Sequence, residues 1–228
     1  MISNNIPAHL KEYIVEQNYD RYNIIDHNVW SFIMDISIPF FKKYAHHSYY
    51  EGLKKTGITF DKIPSIQYMN EKMNQFGWRA VAVRGFIPPE IFMEFQALGI
   101  LPIACDMRSS NHLTYTPAPD IVHESAGHSP IIINKEYAHY LKEYGRIASK
   151  AIFSDKDRAM YHAIRNLSDI KEDRKATSKQ IAEAEEVLSE LKNNQSEPSE
   201  ATLLSRLHWW TVEYGLIGSL SDPKIYGA

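Results

Sequence analysis

The chain has 228 residues, 44% of them hydrophobic and 23% charged, with a formal net charge of −3. That length and balance suit one domain with a sizeable core, and the lack of a basic excess argues against a nucleic-acid partner. The single cysteine, Cys105, excludes an internal disulfide or an all-thiolate metal site, no apolar run approaches a membrane span, and the N-terminus lacks a leader pattern, so a cytoplasmic protein is expected.

In chain order, residues 8–18 read as a short amphipathic helix after Pro7. Asp26 is the expected N-cap of a helix through Val29, Trp30, Ile33 and Met34, with Pro39 breaking or kinking it. Gly52 and Gly57 mark a turn region before Phe60. Ser65 opens a helix through Tyr68, Met69 and Met73 that Gly77 closes. Residues 78–84 alternate and predict a half-buried strand. Pro88-Pro89 starts a helix that Gly99 ends, and residues 100–108 predict a second strand. A turn-rich stretch over 109–119 leads into the next helix. Residues 134–153 read as helical, with Tyr137, Tyr140, Leu141 and Tyr144 on one side. The charged segment 155–195 predicts a helical hairpin packed on the body, a lid or partner-binding arm being the alternative. Thr177 or Ser178 caps its second arm, whose apolar stripe is Ile181, Ala184, Val187, Leu188 and Leu191. A final helix after Pro198 carries the chain through Ile217 and Gly218. The fold expected is mainly α with minor β content.

The segment most informative about chemistry is Y-T-P-A-P-D-I-V-H-E-S-A-G-H, ending at His128. It sets His123 and His128 five apart, with Glu124 beside the first. Imidazole suits iron, zinc or copper, while two satisfied helix histidines are the plain alternative. The H-E-x-x-H zinc-protease spacing does not apply, because the second histidine falls one position late. A step of five rotates a regular helix by roughly 140°. Joint ligation therefore demands a distorted helix such as a π-bulge, and Pro130 nearby is compatible with one. Glu213 is an acidic residue in the apolar stretch 208–216, where it must pair with a cation or bind a metal. Two histidines and a carboxylate on one octahedral face is the arrangement of non-haem Fe(II) oxygenases.

Together, T-Y-T-P-A-P-D-I-V-H-E-x-x-G-H, W-W-T-V-E-Y-G-L and the closing I-Y-G-A resemble the pterin-dependent aromatic amino acid hydroxylases, nearest to the bacterial phenylalanine hydroxylases. The resemblance covers most of the chain, best from about Val81 to Ala228. It implies an aromatic amino acid hydroxylase-like catalytic domain over 1–228, with 155–195 as a helical insertion. The activity implied is a monooxygenase of phenylalanine catabolism, a phenylalanine 4-monooxygenase, with tyrosine or tryptophan as the alternative substrate. Fe(II) held by His123, His128 and Glu213 is implied, with tetrahydrobiopterin or another tetrahydropterin as reductant and O2 as co-substrate. By position, Arg108, Thr116, Pro119 and Trp209 would hold the amino acid. Phe86, Ile87, Pro89, Phe92 and Glu124 would hold the pterin, Glu124 also being catalytic. Ala118 and His208 stand where animal members carry an acidic residue and a tyrosine. Glu213 follows His128 by 85 residues (213 − 128 = 85), a longer separation than in those members. Relatives continue past Ala228 into a Ser-bearing helix, so a truncated C-terminus is expected, as is the absence of a preceding regulatory domain. A zinc hydrolase using the same three ligands with Glu124 as general base is the reading from another class. Oligomeric state stays open.

Overall fold

A computed structural model describes residues 6–114, 116, 118–173, 175–194 and 196–228. Expectations for residues 1–5, and for Tyr115 and Pro117 of the motif, lie outside the described residues. Helix α1 covers only Ala8–Lys11, not 8–18. The Val15 amide donates to the Ala82 carbonyl at 2.9 Å, so the chain leaves the helix to run along a strand edge. Tertiary pairing overrides local propensity there. In α2 (Ile24–Tyr44) the N-cap is Asn23 rather than Asp26. Asn23 accepts from the Ile25 and Asp26 amides while the Asp26 carboxylate accepts from the Asn23 amide, a reciprocal capping box. Pro39 does not end this helix. It is exposed, so the carbonyl four residues earlier that it cannot bond is left to solvent.

The turn expected around Gly52 is instead α3 (His47–Lys55). Gly52 lets this helix press against the 3-10 helix Pro130–Ile133 that follows the His123–His128 segment: a Cβ there would lie 2.0 Å from the Pro130 carbonyl oxygen. Helix α4 (Ile66–Met73) is capped by Ser65 and its chain turns at Gly77, as expected. Strands β1 (Arg79–Val83) and β2 (Ile100–Ala104) pair in parallel, Arg79 opposite Ile100, across the crossover helix α5 (Pro89–Ala97). Neither strand is half-buried: Val81, Val83 and Ile100 face a small core with Phe95, whereas Ala80, Ala82, Leu101 and Ile103 face the main core around Trp30 and Trp78. Parallel strands covered on both faces behave this way.

Helix α6 (Lys135–Ala148), capped by Asn134, packs on α5. Residues 155–195 form α7 (Asp155–Glu172) and α8 (Ser178–Asn193), joined by a Lys171–Glu185 ion pair of 2.7 Å, with Thr177 as the second cap. Of the stripe expected on α8, Ala184 is buried and Val187 is exposed. Helix α9 (Glu200–Val212) stops at Glu213, earlier than expected. Residues read as its continuation form the first strand of an antiparallel hairpin, β3 (Leu216–Ser219) and β4 (Asp222–Ile225), joined by a turn at Leu220 and Ser221. The hairpin returns the chain to the end of α9, where the Ala228 amide donates to the Val212 carbonyl at 2.7 Å. Among the described residues no helix is long and apolar enough to cross a membrane.

Candidate metal centre and its cavity

Residues Val122–His128 wind as a π-helix. Its i→i+5 bonding brings residues five apart onto one side, which the regular helix denies to His123 and His128. The support is polar and buried. Tyr49 of α3 donates its hydroxyl to the Ala126 carbonyl, and Gly127 O lies 3.1 Å away. Ser125 donates to the Ile121 carbonyl, Ser129 to the Ser125 carbonyl at 2.6 Å, and Thr56, the C-cap of α3, meets the Ser129 hydroxyl at 3.0 Å.

The two imidazole Nε2 atoms stand 3.1 Å apart with ring planes at 88°. Glu213 Oε1 lies 3.4 Å from His123 Nε2 and 3.2 Å from His128 Nε2. A triangle with these edges is small enough for one divalent cation to sit within roughly 2.1 Å of all three atoms. Among the described residues this is the one group of three such side chains with ligand atoms that close together. Burial opposes charge on both partners, but attraction wins. The Glu213 carboxylate, with Glu124 and Asp120 nearby, raises His123 to about 9, while the two imidazoles hold Glu213 well below the usual carboxylate range.

Asp120 organises this centre, and the sequence reading assigned it no role. Its Oδ1 caps the His123 amide at 3.0 Å, and its two oxygens take a bidentate grip on Arg108, from Nε at 2.6 Å and Nη2 at 2.8 Å. The Asp120 side chain is 2% exposed and Arg108 10%, so each neutralises a charge that burial would otherwise penalise. The signal available was spacing: an acidic residue three before a helical histidine is where an N-terminal cap belongs. Arg108 keeps further N–H groups uncommitted to Asp120, one directed at the Leu113 carbonyl at 3.4 Å. Thr116 donates to the Ala118 carbonyl at 2.8 Å. Neither Arg108 nor Thr116 lines the cavity beside the triangle.

That cavity, of about 570 Å³, is mostly apolar and lies beyond the C-terminal ends of β1 and β2, where parallel strands commonly place ligands. His123, Glu124 and Glu213 line it, as do the expected residues Pro119, Trp209, Phe86, Ile87, Pro89 and Phe92. The Phe92 and Trp209 rings are 6.2 Å apart. Burial pushes the Glu124 carboxyl up, and its Oε2 has no partner among the described residues. An orphaned buried oxygen beside an apolar cavity suits a flat ligand with a polar edge. His208 is fully buried, stacked on Tyr144 at 5.2 Å, and burial beside His128 lowers it to about 4, so it stays neutral. The sequence reading also missed α7, whose Asp157, Met160, Tyr161 and Ile164 line the same cavity. Their i, i+3, i+4, i+7 spacing was the available signal.

Comparison with known proteins matches residues 11–165 to the family described as biopterin-dependent aromatic amino acid hydroxylase. Phenylalanine-4-hydroxylase of Chromobacterium violaceum is 28% identical over 218 residues, 95% of this chain and 59% of that protein. The chain thus spans about three fifths of that relative's length. A crystal structure of the C. violaceum enzyme with bound iron(III) and 7,8-dihydrobiopterin superposes with a TM-score of 0.69 at 26% identity, covering 97% of this chain and 69% of that one. Another, with iron and phenylalanine bound, gives 0.65 at 27% identity, covering 94% and 62%.

Proposed function

The chain belongs to the biopterin-dependent aromatic amino acid hydroxylase family, and from that premise we propose that it is the catalytic region of an iron- and tetrahydropterin-dependent phenylalanine 4-monooxygenase. On this reading 155–195 is a helical insertion within that region, and a cytoplasmic location belongs to the same proposal. The observation that carries it is the His123–His128–Glu213 triangle opening onto an apolar cavity walled by Phe92 and Trp209. A cation held there on three sides keeps room for further ligands.

Fe(II) with a tetrahydropterin supplies, when bound, the activation of O2, one oxygen atom entering the ring and the other being reduced by two pterin electrons. The protein's own groups do the rest. His123, His128 and Glu213 hold the metal, and Asp120 fixes the first of them by its backbone. The remaining Arg108 N–H groups offer a planar fork for the amino acid carboxylate, with Thr116 and Pro119 beside it. Trp209 gives the aromatic ring an apolar wall that excludes water. Phe86, Ile87, Pro89 and Phe92 take the pterin, and the unpartnered Glu124 Oε2 bonds its polar edge. Neutral His208 stiffens α9 behind the site without adding charge.

The test is iron content together with tetrahydrobiopterin-dependent O2 uptake across phenylalanine, tyrosine and tryptophan, with tyrosine quantified. Tyrosine formation that requires iron, pterin and phenylalanine is expected. Turnover with zinc and water alone, or no pterin-dependent O2 uptake with any of the three, overturns the reading.

A further inference from the structure

Helix α7 presents two unlike faces. Ala159, His162, Ala163 and Asn166 look toward Val187, Glu190 and Leu191 of α8. Asp157, Met160, Tyr161 and Ile164 line the cavity that His123, Glu124 and Glu213 also line. The Tyr161 hydroxyl donates to the Phe86 carbonyl at 3.2 Å and accepts from Arg165 Nη1 at 3.2 Å. The guanidinium satisfies the hydroxyl oxygen and so favours donation toward Phe86. In the loop that carries Phe86, Ile87 packs on the small core while Phe86 itself is partly buried. Gly85 takes φ +54°, and no atom lies within 4 Å of where its Cβ would stand.

The base of α7 is anchored firmly. Asp157 accepts from the Ser154 amide at 2.7 Å, the Ser154 hydroxyl at 2.8 Å, and the Ser199 and Thr202 hydroxyls at 2.6 Å each. Ser154 caps α7 and Ser199 caps α9, so one carboxylate joins the starts of both helices. Helix α9 carries Trp209 and ends at Glu213. Through Asp157 and Tyr161, the 85–87 loop and the carboxylate of the triangle are therefore referred to one frame.

We infer that α7 is a wall of the pterin site and that Tyr161 is a positioning residue for the cofactor, acting by holding the 85–87 loop through the Phe86 carbonyl. The inference rests on the pterin reading above. Met160 and Ile164 complete that wall with apolar surface suited to the face of a flat ring.

The experiment uses the full 228-residue chain loaded with iron and titrates 7,8-dihydrobiopterin calorimetrically into the parent, Tyr161→Phe and Ile164→Trp. Losing one neutral hydrogen bond should weaken dihydropterin binding by about 3- to 10-fold in Tyr161→Phe. The KM for tetrahydropterin should rise in step, while iron content, thermal midpoint and the KM for phenylalanine stay at parent values. Ile164→Trp, which fills the cavity from the α7 side, should weaken dihydropterin binding further. A purely structural Tyr161 would instead lower the thermal midpoint and shift both KM values together, which overturns the positioning role. Equal binding by the parent and both variants overturns the α7 inference and leaves the pterin reading standing. A parent that takes up iron but binds no dihydropterin removes both.

Discussion

The two walls of the cavity are held together in different ways. On the motif side, the π-helix rests on buried bonds from Tyr49, Thr56, Ser125 and Ser129, and the Asp120–Arg108 pair is almost wholly enclosed. On the α7 side, the helices meet through Asp157, a half-buried carboxylate served by two backbone-capping serines and a threonine. A buried polar group that loses its partner bears the whole desolvation penalty, whereas one near the surface turns to water. The motif wall should therefore tolerate almost no change of partner, and the α7 wall a good deal.

The largest effect is expected at Asp120→Asn. Removing one charge of an enclosed pair strands Arg108, and denaturant unfolding should show a loss of about 3–5 kcal/mol. A loss under about 1 kcal/mol would place this pair with ordinary surface contacts and dissolve the contrast.

Glu213→Gln probes the seam between the walls, because the residue is delivered by α9 and meets the π-helix. Loss of an outer-sphere partner commonly costs a metal site 10–100-fold, so a direct ligand should cost iron affinity more than about 100-fold. Metal titration of the folded variant checks this; unchanged iron affinity would take Glu213 out of the centre.

The smallest effect belongs to Asp157→Asn. Burial opposes ionisation of Asp157, but the Ser199, Thr202 and Ser154 donors outweigh it and depress the group to about 2. A depressed carboxyl contributes stability that is complete above its unfolded value near about 3.9 and is lost as pH falls toward about 2. Solvent screening limits the contribution to about 1 kcal/mol. Urea midpoints of parent and variant should therefore differ at neutral pH and converge in acid. A gap that persists in acid would mean that shape, not charge, joins α7 to α9.

What the sequence disclosed follows the same division. The His123–His128 spacing demanded a distorted helix, because a regular one sends the second ring to another face, and the π-helix supplies that distortion. Capping signals placed α4, α5 and α8 well, since Ser65, Pro89 and Thr177 act locally. Failures came where distant contacts decide. Gly52 looked like a turn residue, yet it is a helical glycine admitted by the Pro130 backbone. Residues 12–18 looked helical, yet Val15 is drawn to the edge of β1. The apolar run after Glu213 suited a helix, and only the turn at Leu220 and Ser221, with the pairing to β4, makes it a hairpin strand. Asp120 was visible as part of a motif, but its hold on Arg108 depends on a turn that no periodicity encodes.

The interval between His128 and Glu213 has a topological consequence. A cation held by both would close a ring of 85 residues, with α6 through α9 strung along it. Drawing the ends of so long a segment together from an unfolded chain costs on the order of 4 kcal/mol in entropy. In the fold the His123, His128 and Glu213 atoms stand 3.1–3.4 Å apart, so that cost falls on the packing of α9 against the π-helix. An ion bound there would oppose any opening that separates α9 from the π-helix, because the opened chain would offer no complete site. Closure entropy grows only as the logarithm of ring size, so the α7–α8 excursion lengthens the ring at little thermodynamic cost. A hairpin can thus stand between two ligands of one centre without loosening the clasp they form.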